Sequence, residues 1–65
     1  MMYSVNNVSK SYANQKYAVI RQCDYQYWYY GSYNSLEQAQ EVCNQLGNGL
    51  VVESKNIKVA FFSNW

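Results

Sequence analysis

The sequence predicts a small α+β domain of ββαββ order, with one helix packed on an antiparallel or mixed sheet. Three observations predict it. Residues 35–46 carry a capped apolar stripe at helical spacing; two β-rich runs precede that stretch and two follow it; and 65 residues leave room for a single domain, 1–65.

The elements follow in order. Residues 1–14 are partly loop or edge strand. Met1, Tyr3 and Val5 alternate and suit an extra N-terminal edge strand, whereas Asn6-Asn7 and Ser9 to Asn14 read as loop. Gln15 to Gln22 is a strand rich in β-formers at Tyr17-Ala18-Val19-Ile20. Cys23-Asp24 is its turn, Tyr25 to Tyr30 the second strand, and Gly31 its end. Ser35-Leu36-Glu37-Gln38 satisfies the capping-box pattern, in which the serine hydroxyl and the glutamine amide satisfy free backbone N–H groups. Leu36, Ala39, Val42, Cys43 and Leu46 then share one helix face, and Gly47 closes the helix. Leu50 to Glu53 is a third strand, Ser54-Lys55-Asn56 a turn, and Ile57 to Phe62 a fourth strand.

Alternation along the hairpin sorts its side chains. Ala18, Ile20, Tyr25, Tyr27 and Tyr29 share one face; Tyr17, Val19, Arg21, Gln26, Trp28 and Tyr30 share the other. Neither face is polar, and one helix covers only one of them. Small Ala18 and Ile20 suit the helix side, which leaves Tyr17, Val19, Trp28 and Tyr30 uncovered, with Arg21 and Gln26 at their border. An uncovered aromatic patch of that kind marks an interface or a ligand surface.

Composition sharpens this. Eight Tyr, two Trp and two Phe stand where charges usually do, for only 14% of the chain is charged against roughly 25% in an ordinary domain. A core this small is thin and wants support from a disulfide, a metal or a partner subunit. The N-terminus has no basic stretch followed by an apolar run, so the chain is expected in the cytoplasm, where Cys23 and Cys43 stay free thiols. Two distant cysteines and no histidine do not make a zinc site. Self-association, as a dimer or larger homo-oligomer, is then the favoured support. No apolar run approaches the ~20 residues that span a bilayer, so no membrane role is expected.

Catalysis finds no footing. Histidine, the commonest general base, is absent. Glu37 and Glu41 fit a solvated helix face, Asp24 fits a turn, and Gly47-Asn48-Gly49 follows a helix where a phosphate loop would open one. The expectation is a binding protein without enzymatic activity and without a cofactor.

Two resemblances bear on what it binds. Trp28-Tyr29-Tyr30-Gly31-Ser32-Tyr33-Asn34-Ser35-Leu36-Glu37-Gln38-Ala39 resembles the strand-to-helix junction of AP2-like and integrase-arm ββα DNA-binding modules. Those modules present several Arg and Lys on the sheet; here Lys16 and Arg21 alone lie on the hairpin and the net charge is +1, which argues against duplex binding. In size, composition and architecture the chain is similar to small phage-encoded anti-defence sponge proteins. That resemblance implies a homo-oligomer in the host cytoplasm that sequesters a nucleotide-derived signal in aromatic-lined pockets. Aromatics would stack on a base, cations would meet phosphate, and polar tips would read the edges. Tyr17, Arg21, Gln26, Trp28 and Tyr30 are the candidate site residues, with Lys58 as a cationic neighbour. Inhibition of a host protein through the same face is the alternative; a plain subunit contact without a ligand is the bland reading.

Overall fold

The computed structural model describes residues 1–63. Its elements are β1 (Tyr3–Asn6), a 3-10 turn (Tyr12–Asn14), β2 (Tyr17–Cys23), β3 (Gln26–Tyr33), α1 (Leu36–Leu46), β4 (Gly49–Glu53), a second 3-10 turn (Ser54–Asn56) and β5 (Ile57–Val59). One helix and one mixed five-stranded sheet, in the order β4-β2-β3-β1-β5, make this an α+β fold.

The order is not strictly ββαββ, because β1 is a full member of the sheet and does not lie at its edge. It runs parallel to β3 on one side, with Val5 opposite Tyr27, and parallel to β5 on the other, with Val5 opposite Val59. The reason is burial. Val5 is fully enclosed, and a strand whose backbone is paired on both sides can bring its side chain into the middle of the core. The outer strands are β4 and β5.

The β2–β3 hairpin turns one residue later than its sequence suggests. Asp24 and Tyr25 form the turn, at φ 53° and 65°, and Cys23 faces Gln26. Positive φ at both central residues is the type I′ pattern, whose twist matches that of the flanking strands. Tyrosine is poorly suited to this region because its Cβ crowds the following carbonyl. Tyr25→Gly is therefore expected to raise stability by about 1 kcal/mol, read as a higher urea midpoint. An unchanged or lower midpoint would show that the ring makes a stabilising contact.

Gly31 does not end β3. Val19 faces Gly31 while Ile20 faces Tyr29, so Tyr30 is one residue too many on that strand, and the ladder continues through this bulge to Tyr33. The helix starts and stops as its caps predict. Ser35 Oγ accepts from the Gln38 N–H at 3.3 Å, and Gly47 at φ 78° takes the left-handed position at its end.

The helix lies over β4 and β2 on the Val19 side, not on the Ala18 and Ile20 side that the sequence favours. Gly49, opposite Arg21 and therefore on the Val19 side, sits so close to α1 that a Cβ there would come 3.2 Å from Cys43 Sγ. Val19 and Ala39 are both fully buried between these layers. On the opposite face, Val5, Ala18, Ile20, Val52 and Ile57 form the main core. The chain leaving β1 covers it: Asn7 turns at φ 62°, Val8 is fully buried, and Tyr12 packs over the cluster. Backbone bonds tie this cover down, from Val8 N–H to Phe61 O (3.1 Å) and from Ser63 N–H to Val8 O (2.7 Å). Ile57 to Phe62 is thus a strand only as far as Val59, followed by a single parallel bridge between Val8 and Phe62. Among the described residues no helix is long and apolar enough to cross a membrane.

Candidate functional site

Among the described residues α1 packs chiefly on β4, β2 and part of β3, which leaves the rest of the helix-side face, over β3, β1 and β5, without a helix. Strand pairing fixes which side chains meet there. Arg21 stands directly across from Trp28, and Asn6 lies across from Trp28 on the other flank. One step along the face, Cys23 stands across from Gln26. Counting back along the parallel strands puts Ser4 beside Gln26, and Lys58 stands across from Ser4. Two neighbouring rows result, Arg21–Trp28–Asn6 and Cys23–Gln26–Ser4–Lys58.

Trp28 is the centre of this surface. It is 37% exposed, and Phe61 meets it edge to face at 6.3 Å, which holds the indole plane. Arg21, Cys23, Asp24 and Trp28 line an open depression of about 310 Å³. The one ion pair among the described residues joins Lys55 to Glu53 (3.7 Å), so the Arg21 guanidinium stands without a carboxylate partner. Asn6 Nδ2 donates to Gln26 Oε1 at 2.6 Å, and that bond sets the Gln26 amide. Met2, Tyr3, Ser4, Asn6, Tyr25, Gln26 and Tyr27 surround a second opening at the end of the strands.

The sequence-predicted residues do not all converge. Arg21, Gln26 and Trp28 do, and Lys58 shares their face two strands away on β5. Tyr17 is separated from Trp28 by the buried Val19 and the exposed Arg21; it faces Tyr33 and Glu53, with Lys16 Nζ 5.9 Å from its ring centre. The bulge removes Tyr30 from the Trp28 row. It lines a different hollow with Asn7, Ser9, Tyr29 and Ser63. Phe61 and Asn6 are the additions, and β1 alternation alone could not show them without knowledge of its neighbours.

Elsewhere polar groups serve the fold. Tyr29 and Ser32 share a hydroxyl hydrogen bond. Burial pushes the Tyr33 phenol above its ordinary value, helped by Tyr30 and Tyr29. Cys23 is an exposed free thiol and Cys43 a half-buried one. Among the described residues no three His, Cys, Asp or Glu side chains gather as a metal site. No family model matches the chain, and neither a curated protein nor a solved structure matches it.

Proposed function

We propose that this chain is a non-enzymatic binding protein of the phage anti-defence kind, a homo-oligomer that sequesters a nucleotide-like ligand on the Trp28 surface. One observation carries the reading: a half-exposed indole, held edge-on by Phe61, stands directly across from an arginine that has no ion pair among the described residues. An indole face accepts a base by stacking, and a guanidinium fork matches phosphate oxygens. The Gln26 and Asn6 amides offer donors and acceptors for base edges, and Lys58 supplies a second cation on the same face. A depression of about 310 Å³ lies at the small end of ligand sites, enough for a base and its nearest phosphate.

A thermal-shift screen of cyclic and linear nucleotides tests it. A ligand at about a hundred times its Kd stabilises a fold by about 2.7 kcal/mol, which in so small a domain raises the melting temperature by roughly 10 °C or more. No shift with any nucleotide at millimolar concentration would overturn the reading.

A second reading, inhibition of a host protein, is favoured by Tyr25, fully exposed at the tip of the hairpin in a backbone region that penalises it. It predicts that Tyr25→Gly loses a captured partner while keeping the fold. Duplex binding has only Arg21 and Lys58 as cations on this face; salt-sensitive gel retardation would revive it.

A further inference from the structure

Among the described residues no strand pairs with the outer edge of β4. Gln22 N–H donates to Asn48 O (3.1 Å) and Ser54 N–H to Lys16 O (2.9 Å), so positions 48 and 54 turn their backbone groups toward β2. Alternation in the antiparallel ladder gives 50 and 52 the same direction. Gly49, Val51 and Glu53 therefore point their N–H groups outward, where no strand lies among the described residues, as do the Gly49 and Val51 carbonyls; the Glu53 C=O already accepts from Asn56 N–H as the cap of the second 3-10 turn. Natural edges are usually blunted by lysine, proline or brevity. The other edge, β5, has three residues and Lys58 at its middle, whereas β4 has five residues with Leu50-Val51-Val52 at its centre.

We propose that β4 pairs with β4 of a second copy, antiparallel and centred on Val51, to make one continuous ten-stranded sheet. This deepens the homo-oligomeric reading above and rests on it for the expectation of a second copy. The register follows from the residues. Val51 meets the partner's Val51, and Gly49 meets the partner's Glu53, which uses the outward N–H of all three residues and leaves the Glu53 C=O to accept through its second lone pair. Glu53 then faces a residue without a side chain, so the two like charges are kept apart. On the face away from the helix, Leu50 meets the partner's Val52. That closes the 38% exposure of Leu50 and joins the two main cores into one apolar strip.

The layers also fit. The two-fold axis stands perpendicular to the sheet, so both helices lie on one face. A helix set between β4 and β2 comes roughly 10 Å from its mate, given strands about 4.8 Å apart, which is the distance at which helices pack. The two Trp28 surfaces stay open on that same face, on either side of the helix pair, roughly 24 Å apart by the same spacing. Pairing and ligand binding are thereby separable.

Concentration-dependent hydrogen exchange and light scattering test the pairing. Expected is a particle of twice 7.6 kDa, with the Gly49, Val51 and Glu53 amides more than tenfold slower to exchange at high concentration than at low. Leu50→Lys places a charge in the apolar strip, and Val51→Pro deletes an outward N–H without touching the β2 ladder. Both are expected to be monomers with the far-UV spectrum retained, while Trp28→Ala stays dimeric. Fast exchange of those three amides at every concentration in the wild-type chain overturns the proposal, even if a variant fails to fold. So does a dimer that Trp28→Ala splits and Leu50→Lys does not. A nucleotide shift with fast-exchanging edge amides fails the pairing alone; a slow edge without any nucleotide shift fails the ligand reading alone.

Discussion

Ile20→Ala is expected to leave most of the protein unfolded at 25 °C. Ile20 is one of the largest fully buried side chains, in the centre of the main core with Ala18, Val5 and Val52 around it. Strands β3 and β4 flank it through Tyr29 and Leu50, so the neighbours are held by ladders and cannot collapse into the gap. Truncations of this kind cost about 2–5 kcal/mol. A single core in a chain this short supplies about 3–5 kcal/mol in all. The two quantities are alike, and the loss is therefore close to total. Far-UV circular dichroism against urea reads the outcome; a wild-type midpoint would show that the fold draws its stability from elsewhere.

Trp28→Ala is expected to weaken nucleotide binding by about fivefold to 150-fold, since one base stacked on an aromatic ring is worth about 1–3 kcal/mol. The fold should persist. The indole is 37% exposed, and its one ring contact among the described residues, with Phe61, is of the sort worth about 0.5–1.5 kcal/mol. Titration by calorimetry beside a melting curve separates the two effects. Equal affinity in the variant would place the ligand elsewhere. Loss of the melting transition would make Trp28 a structural residue.

Much of this fold is legible in local chemistry. Ser35 and Gly47 bracket a helix because a hydroxyl and a glycine satisfy the groups that helix ends leave open, and both act as those residue types require. The hairpin is also legible, from its β-rich runs. Its register is not, because Cys23-Asp24 and Asp24-Tyr25 are equally adjacent to those runs and only the twist of the sheet selects the latter. The bulge at Tyr30 leaves no trace in an aromatic run whose every member suits a strand.

The choice of helix side fails for a clear reason: both faces of β2 are apolar, so hydrophobicity cannot rank them. The informative residues are Gly31 and Gly49. Both lie in strands, and both mark the face on which bulk comes close: Tyr33 folds over Gly31, and α1 abuts Gly49. Of the candidate site, Arg21, Gln26 and Trp28 are legible because they alternate along one hairpin. Phe61 and Asn6 are not, because their place depends on β1 pairing with strands far away in sequence.

That insertion of β1 orders events in time. A hairpin such as β2–β3 closes within about 1–10 μs, and α1 and β4 are its immediate neighbours along the chain. β1 must instead wait for β5, which lies near the other end, and pairs in parallel, the arrangement slowest to nucleate. The fold should thus assemble as a hairpin-and-helix unit whose β3 edge stays open until the first and last strands arrive. Pulse-labelled hydrogen exchange should show the Val19 and Ile20 amides protected before that of Val5. During that interval the exposed flank of β3, with its run of aromatic rings, is the part of the molecule most prone to capture a neighbouring chain.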